Sequence, residues 1–280
     1  MLVKMQINEI IHNAITKSDA NPRHVKLLLA HALRTTQEEL ILKPDREVSD
    51  IELQEFESLL ARLVNEEPVS KILGQREFWN DTFKVTKDTL DPRPETETII
   101  ESVLKYFPDK SGNYKILDLG TGTGCIILSL LREYPNATGL GVDISSKALE
   151  VAKENAHTLG IDRIEFKEGN WCEGITHTFD IIVSNPPYIK DTEQLPDCVK
   201  NFDPGLALFA GDDGLSAYRQ IAASIHNVCN NNTMIFLEIG QGQETEVSNI
   251  FAAAGFNTIE NVTDLAGIIR CLICSSSFLK

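Results

Sequence analysis

The length, composition and charge of the chain exclude several classes of protein. Its 280 residues are 42% hydrophobic, which suffices for a sizeable core. They contain no run of about 18 apolar residues that would cross a membrane. The formal net charge of −15 argues against a protein that binds bulk DNA or RNA unaided, because such proteins present a basic face to the phosphates. The acidity indicates a basic partner or serves solubility alone.

Residues 1–73 are predicted to form a small helical domain. Three apolar stripes have the i, i+3, i+4 spacing of one helix face, and they begin at Ile7, Val25 and Leu53. Before the second stripe, Asn21-Pro22 supplies a capping side chain and a proline that suits the first helical turn. Because each stripe needs the others to be buried, we expect a helical bundle.

Residues 74–91 are predicted to be a hairpin connector, and residues 92–280 an α/β domain. Bulky apolar and polar residues alternate around Asn80-Asp81, as they do in two strands joined by a tight turn. From Tyr114 onward, short apolar runs alternate with helical patterns. Strands separated by helices predict a doubly wound, mainly parallel sheet with helices on both faces. The predicted strands include residues 115–119, 138–143, 179–184, 234–239 and 268–273.

The cysteines and histidines do not have the spacing of a metal site. The start of the chain lacks a basic segment leading into an apolar core, so we expect a cytoplasmic protein, and the six cysteines are expected to be free thiols. Cys271 and Cys274 form a CxxC within an apolar run that reads as a buried strand, and no second ligand pair accompanies them. We therefore predict core thiols and no bound metal.

A glycine turn follows the first predicted strand of the α/β domain. Asp118 precedes it, and the turn opens directly into a helical pattern. Glycine lets the backbone pass close to a ligand, and ligands bind at strand-to-helix turns of such sheets. The spacing is GxGxG rather than the GxGxxG of dinucleotide sites. A dinucleotide site and a purely structural turn remain alternatives here. The residues of the turn are Gly120, Thr121, Gly122, Thr123 and Gly124.

Two residues beyond the turn are predicted to contact the same ligand. The second predicted strand ends at Asp143, where a carboxylate can accept hydrogen bonds from both hydroxyls of a ribose. Combined with the acid before the glycine turn, this pattern resembles the class I methyltransferases, in which the turn approaches the methionine part of S-adenosylmethionine. Trp171 lies where an adenine could stack on its ring, with ordinary core packing as the alternative.

The predicted strand 179–184 leads into Asn185-Pro186-Pro187-Tyr188, and this tetrapeptide indicates the chemistry. Prolines cannot continue a central strand, so the chain leaves the sheet rigidly beside the glycine turn. If the Asn185 side-chain oxygen and the Pro186 backbone carbonyl accept the two N–H bonds of an amide or amine, its lone pair points at a methyl sulfonium. The Tyr188 ring can close over the planar group. The tetrapeptide predicts methyl transfer to nitrogen, and a turn without catalytic role is the alternative.

Residues 70–280 resemble the release-factor glutamine methyltransferases, bacterial enzymes that methylate the glutamine side-chain amide in the Gly-Gly-Gln loop of peptide chain release factors. The motifs that carry the resemblance are Gly74-Gln-Arg-Glu-Phe-Trp, Pro92-Arg-Pro-Glu-Thr-Glu, Leu117-Asp-Leu-Gly-Thr-Gly-Thr-Gly, Val183-Ser-Asn-Pro-Pro-Tyr-Ile and Asp213-Gly-Leu-Ser-Ala-Tyr-Arg. The chain departs from the family at Asp91, where isoleucine is frequent, and at Asn170, where aspartate is common.

The resemblance implies a cofactor, a substrate and a set of site residues. The cofactor is S-adenosylmethionine, with S-adenosylhomocysteine as product, and the substrates are release factors, in support of translation termination. Asn185, Pro186 and Tyr188 are the implied catalytic residues, and residues 185–188 hold the target glutamine. We interpret residues 1–73 as a substrate-docking domain. The implied cofactor contacts are Gly120 to Gly124, Asp143, Trp171 and Asn185.

Two other functions remain open at this point. The Asn-Pro-Pro-Tyr motif also fits nucleic-acid methyltransferases that act on the exocyclic amine of a flipped adenine or guanine. The net negative charge argues against that alternative, and we expect no stable nucleic-acid partner and no membrane partner. The second alternative is a catalytically silent nucleotide-binding module, against which the intact Asn185 and glycine turn argue.

Overall fold

The computed structural model describes residues 5–276, and the chain divides into two compact units. One unit comprises Met1–Gly74 and Pro196–Phe202, and the other comprises Gln75–Leu195 and Asp203–Lys280. The predicted domains 1–73 and 92–280 include residues 1–4 and 277–280, which lie outside the described residues. The sequence pattern does not separate Pro196–Phe202, which contains the short helix Asp197–Lys200, from the α/β domain around it.

The smaller unit is helical, as its apolar stripes predict. The Asn21 side chain accepts a hydrogen bond from the backbone N–H of Arg23 at 2.9 Å, which confirms the predicted cap of the second helix. Val25, Leu28 and Phe56 are buried in one core, so the stripes pack against one another. The helices before residue 75 are α1 (Ile7–Ser18), α2 (Pro22–Ala32), α3 (Gln37–Leu42), α4 (Asp50–Val64) and α5 (Val69–Leu73).

A β-hairpin opens the larger unit, as predicted. Strands β1 (Gln75–Phe78) and β2 (Asp81–Lys84) are antiparallel, and Phe78 pairs with Asp81 across the turn. The buried rings of Phe78 and Phe83 meet edge to face, with centroids 6.1 Å apart. The hairpin therefore anchors itself to the core of the larger unit through its aromatic face.

The larger unit contains a seven-stranded sheet in the order β5-β4-β3-β6-β7-β9-β8. Its first five members are parallel, whereas β9 runs antiparallel to both of its neighbours. This confirms the predicted doubly wound, mainly parallel sheet. The strands are β3 (Lys115–Leu119), β4 (Thr138–Asp143), β5 (Ile164–Glu168), β6 (Phe179–Ser184), β7 (Cys229–Glu238), β8 (Asn257–Thr263) and β9 (Ile269–Ser275).

Helices cover both faces of this sheet. Successive side chains of β3 point to opposite faces, so Ile116 joins one apolar core and Leu117 the other. Strands covered on both faces read as nearly continuous apolar runs, which is why the sequence revealed the central strands readily. The helices of the larger unit are α6 (Glu97–Tyr106), α7 (Cys125–Glu133), α8 (Ser146–Thr158), α10 (Ser216–Ser224) and α11 (Glu244–Ala253), whereas α9 (Asp197–Lys200) belongs to the smaller unit.

The sheet has its topological switch point between β3 and β6. From β3 the chain proceeds through β4 to β5 on one side, and then returns to β6 and β7 on the other. The connections after β3 and β6 diverge to opposite faces, which leaves a crevice at the carboxyl ends of these two strands. The glycine turn follows β3 and Asn185 follows β6, so both lie at that crevice.

Some strand boundaries differ from those predicted. Strand β7 begins at Cys229 rather than at residue 234, because its first half carries polar asparagines that break the apolar run. Strand β8 has half-buried and exposed side chains at the sheet edge, and its pattern gave no prediction. Cys271 and Cys274 lie buried in β9, as predicted, and burial raises the pKa of each thiol to about 12. Across residues 5–276, no helix has both the length and the apolar character needed to cross a membrane.

Candidate active site

A cleft of about 280 Å³ opens at the carboxyl ends of β3, β4 and β6. Six of the predicted site residues line it, and they come from four separate segments of the chain: Gly120, Gly122, Asp143, Trp171, Asn185 and Pro187. The other predicted site residues do not line the cleft: Thr121, Thr123 and Gly124 complete the turn beneath it, and Pro186 and Tyr188 belong to the chain segment behind Asn185.

The glycine turn owes its shape to left-handed backbone angles. Gly120, Gly122 and Gly124 have φ values of +75°, +56° and +79°, a region that residues with a β-carbon rarely adopt. The N–H groups of Gly120 and Thr121 both donate to the carbonyl oxygen of Val142, at 2.8 and 2.9 Å. The turn is therefore tied to the end of β4 and holds its backbone open toward the cleft.

Asp143 is held rigidly at the end of β4. Its Oδ2 accepts a hydrogen bond from the N–H of Gly122 at 2.8 Å, and its Oδ1 accepts one from the N–H of Ser145 at 2.9 Å. Burial raises the pKa of this carboxyl group, while the backbone donors act in the opposite direction. A carboxylate has about four lone-pair positions, so each oxygen can still accept a hydrogen bond from a ligand hydroxyl.

Asp118 lies beneath the glycine turn and is completely buried. Its Oδ2 accepts a hydrogen bond from the Thr121 hydroxyl at 2.6 Å, and its Oδ1 has no hydrogen-bond partner within the described part of the chain. Burial raises the pKa of Asp118 to about 7, and the charge of Asp143 acts in the same direction. The acid predicted from its place before the turn therefore supports the turn from inside the sheet.

Trp171 forms one wall of the cleft. A β-carbon placed on Gly120 would lie 3.6 Å from its ring, so the indole lies over the first glycine of the turn. The indole N–H donates to Oε1 of Gln220 at 2.9 Å. Gln220 belongs to α10, whose first residues Ser216 and Ala217 also line the cleft. The contacts from α10 were not predicted, although their signal lay in the quoted motif that begins at Asp213.

Side-chain hydrogen bonds to Thr96 and Glu238 help to hold the Asn-Pro-Pro-Tyr segment behind the cleft. The side-chain Nδ2 of Asn185 donates to the Thr96 hydroxyl oxygen at 3.1 Å. The hydroxyl of Tyr188 donates to Oε1 of Glu238 at 3.3 Å. Burial raises the pKa of Tyr188 well above its usual range and that of Glu238 to about 7. Because its nitrogen is already engaged, Asn185 has its side-chain oxygen available to accept hydrogen bonds.

Comparison with known proteins identifies the family. A family described as Methyltransferase domain matches residues 110–255, and one described as PrmC N-terminal domain matches residues 13–74. The release factor glutamine methyltransferase of Rhodospirillum rubrum is 42% identical over 254 residues, which cover 90% of this chain and 78% of that protein. That of Agrobacterium fabrum is 42% identical over 253 residues, 88% of each chain. The chain belongs to the release factor glutamine methyltransferases.

This finding confirms the resemblance drawn from the motifs of residues 70–280 and extends it to residues 13–74. Among solved structures, a methyltransferase from Pyrococcus furiosus has a TM-score of 0.53 and 16% identity, and covers 78% of this chain and 98% of its own. At that identity the likeness concerns the fold alone, and it agrees with the doubly wound sheet.

The family departure at Asp91 is accommodated by nearby charges. Asp91 is buried, its carboxylate lies 3.9 Å from Nε of Arg76, and its N–H donates to Oδ1 of Asp203 at 3.1 Å. Arg93 forms an ion pair with Asp203 at 2.7 Å. Leu90 and Pro204, next to these residues, line the cleft, so the charged cluster braces two of its walls. The second departure, Asn170, also lines the cleft, and its Nδ2 donates to Glu173 at 3.4 Å.

The histidines and cysteines supply no metal site in the part of the chain that the structure describes, where no three potential ligands of the His, Cys, Asp and Glu types are grouped. All six cysteines are free thiols. The sequence missed Thr96, Glu238 and Ile144 as neighbours of the site. Thr96 lies in the quoted Pro92 motif, and Glu238 is an acid within an apolar run. Ile144 lines the cleft directly after Asp143 with 60% of its surface exposed.

Proposed function

We propose that this protein transfers the methyl group of S-adenosylmethionine to the side-chain amide nitrogen of the glutamine in the Gly-Gly-Gln loop of peptide chain release factors. The observation that carries the proposal is that Asn185, the glycine turn and Asp143 line one cleft at the switch point of the sheet. Relatives 42% identical to this chain bear the name of that activity.

The residues of the cleft suit S-adenosylmethionine. Each oxygen of Asp143 accepts one backbone N–H and retains capacity for a ribose hydroxyl. The open backbone at Gly120 and Gly122 leaves room for the methionine part. Ile144 and Trp171 offer apolar surfaces on which the adenine can pack. When bound, the sulfonium supplies an activated methyl group, so the chain itself needs neither a metal nor a covalent intermediate.

What remains for the protein is to orient the glutamine amide nitrogen, which is a poor nucleophile. The lone pair of a glutamine amide is delocalised, and the nitrogen reacts only when that lone pair points at the methyl carbon. In the proposed arrangement, the Asn185 Oδ1 and the Pro186 carbonyl oxygen accept the two N–H bonds, and the Tyr188 ring covers the amide plane. A nitrogen–carbon bond forms as the sulfur–carbon bond breaks, S-adenosylhomocysteine remains, and the methylated amide loses one proton to water.

The proposal also covers the partner and the location of the protein. The net charge of −15 is suited to a basic loop that works among ribosomal RNA, and opposite charges speed the encounter of two proteins. We include in the proposal that residues 1–73 dock the release factor, that the protein acts in the cytoplasm, and that it holds no stable nucleic-acid or membrane partner. A flipped base would present a similar amine, but unstacking costs a few kcal/mol and usually requires a basic groove to offset it.

The test supplies the protein with radiolabelled S-adenosylmethionine and one of four substrates: release factor, release factor with Gln→Glu in its Gly-Gly-Gln loop, total RNA, or DNA. We expect label only in the unmodified release factor, entering more slowly as salt rises because the attraction is screened. Equal labelling of the Gln→Glu protein contradicts the glutamine assignment. Preferential labelling of nucleic acid would favour the base-methylating alternative.

A further inference from the structure

A buried carboxylate lies behind the Asn-Pro-Pro-Tyr segment. Glu238 ends β7, which pairs with β6 alongside Asn185, and it is 2% exposed. Its Oε1 accepts the hydroxyl hydrogen of Tyr188, whereas its Oε2 has no partner with full hydrogen-bond geometry between residues 5 and 276. Burying a carboxylate is costly unless donors surround it, so the donors near Glu238 indicate what this residue holds in place.

Thr96 connects this carboxylate to the Asn185 amide. The Thr96 hydroxyl oxygen accepts a hydrogen bond from Asn185 Nδ2 at 3.1 Å, and Asn185 follows the β6 residue that pairs with Leu237, the neighbour of Glu238. The Thr96 side chain also lowers the pKa of the Glu238 carboxyl group. A hydroxyl has a single hydrogen. An ionised Glu238 can only accept, so a Thr96 hydroxyl that donates to Glu238 has no hydrogen left for Asn185 and must accept from the Asn185 nitrogen.

The direction of these hydrogen bonds decides which end of the Asn185 amide enters the cleft. The two ends of an asparagine amide have nearly the same shape, and only their hydrogen-bond partners distinguish them. With the nitrogen bound to Thr96, the oxygen faces away from Thr96 and can accept from a substrate. If the amide were reversed, its two N–H groups would face the N–H groups of the glutamine and could not accept hydrogen bonds from them.

We propose that Glu238 is a positioning residue for methyl transfer. Through Thr96 it fixes Asn185 with its oxygen available to the substrate amide, and through the Tyr188 hydroxyl it fixes the ring beside that amide. The inference rests on the proposed function, in which Asn185 accepts a hydrogen bond from the glutamine. Glu238 itself does not touch the reacting atoms, and it acts only through Thr96 and Tyr188.

The decisive substitution is Glu238→Gln, which keeps the shape of the side chain and adds hydrogen-bond donors. The new amide can donate to Thr96, which frees the threonine hydrogen to donate to Asn185 and favours the reversed amide. Thr96→Val removes the hydroxyl without changing the shape of the side chain, whereas Thr96→Ser keeps it. Glu260→Gln is the matched control, because Glu260 accepts the Tyr106 hydroxyl at 2.8 Å in the edge strand β8.

Each full-length variant is assayed for kcat and KM with release factor, for S-adenosylmethionine affinity by calorimetry, and for thermal unfolding. We expect Glu238→Gln and Thr96→Val to lower kcat by about tenfold or more, since a misoriented acceptor no longer orients the glutamine amide. Cofactor affinity should fall by a smaller factor than kcat, because the variants leave Asp143, Trp171 and the glycine turn unchanged. Thr96→Ser should recover most of the loss seen in Thr96→Val. The control Glu260→Gln should keep the wild-type kcat.

Three results would overturn the inference. The first is a wild-type kcat in Glu238→Gln, and the second is a kcat in Thr96→Ser as low as that in Thr96→Val. The third is a double variant, Glu238→Gln with Thr96→Val, whose fold-loss in kcat equals the product of the two single losses. Residues that act through the same amide should be non-additive. If Glu238→Gln does not fold, the Thr96 pair decides alone. If the wild-type enzyme does not label release factor, both the proposed function and this inference are wrong. If the wild type is active and the variants are unimpaired, only the inference is wrong.

Discussion

At the scale of single residues, the site depends on carboxylates whose surroundings were assembled by the fold. Asp143 is positioned by two backbone N–H groups, and Asp118 is sealed beneath the glycine turn. Both are acids at strand ends, yet one lines the cleft and the other does not. Asp143 is therefore tested by ligand binding, and Asp118 is tested by stability.

We predict that Asp143→Ala weakens S-adenosylmethionine binding by about 1.5–3 kcal/mol, the scale of hydrogen bonds to a charged group. The substitution removes the proposed acceptor for the ribose hydroxyls and also frees the Gly122 N–H. Calorimetric titration measures the affinity, and circular dichroism checks the fold. An unchanged dissociation constant in a folded variant would refute the proposed contact.

Asp118 gives a prediction about stability and pH. Its pKa is about 7 in the folded protein against an ordinary value of 3.8, so the folded state binds the proton more tightly than the unfolded state. Its stabilising contribution is therefore present below about pH 4 and is lost as the pH rises to about 7. Asp118→Asn cannot ionise and retains an acceptor for Thr121.

We expect the unfolding free energy of Asp118→Asn, relative to wild type, to rise between about pH 4 and 7 by up to about 1.4 kcal/mol per pH unit. Above that range the difference should be constant. Denaturant titrations of the ligand-free proteins at several pH values measure it. A difference that does not depend on pH would mean that Asp118 is not a buried, titrating acid.

At the scale of elements, the glycine turn and the start of α7 form one continuous structural unit. Gly122 and Gly124 both have left-handed φ angles, but their surroundings differ. A β-carbon on Gly122 would meet only the Gly120 carbonyl oxygen, at 4.0 Å, whereas one on Gly124 would lie 3.0 Å from a methyl group of Leu128. The two positions therefore separate backbone strain from steric crowding.

We predict that Gly122→Ala costs about 1–2 kcal/mol of stability, which is the strain of a left-handed residue with a β-carbon. Gly124→Ala should cost more, because Leu128 must also shift within a packed core. Thermal and denaturant unfolding of the two variants provides the comparison. Equal costs would show that the core around α7 relaxes freely.

At the scale of the whole molecule, the chain combines a catalytic sheet domain with a separate helical unit. The two family matches fall on residues 13–74 and 110–255, so each unit has its own family signature. All residues that line the cleft belong to the larger unit. This division suggests separate tasks for cofactor binding and for capture of the protein substrate.

We predict that removal of residues 1–73 leaves S-adenosylmethionine affinity within about a factor of two and raises the KM for release factor by about tenfold or more. The docking contribution is lost while the cleft residues remain. A short glutamine peptide should be methylated equally by both proteins, which controls for damage to the catalytic unit. If the truncated protein methylates release factor as well as the full chain does, the docking role is wrong.

The sequence by itself determined the elements whose signals are local. Helix stripes, the hairpin around Asn80-Asp81, the central strands and the motifs at Gly120 and Asn185 follow from spacing, glycine and proline, which act within a few residues. The order of the strands follows less directly, but the alternation of strands and helices predicted a parallel sheet correctly. Strand β8 was not predicted, because its pattern of half-buried and exposed side chains is not distinctive.

Only the tertiary structure decided which distant residues meet. Thr96 and Glu238 become neighbours of the Asn-Pro-Pro-Tyr segment because β6 and β7 are adjacent and the segment after Pro92 reaches the same end of the sheet. Likewise, the burial that raises the pKa of Asp118 and of Glu238 to about 7 depends on the layers of helices around them. Hydrogen-bond direction and desolvation are properties of a packed environment, and a linear pattern of residue types does not specify them.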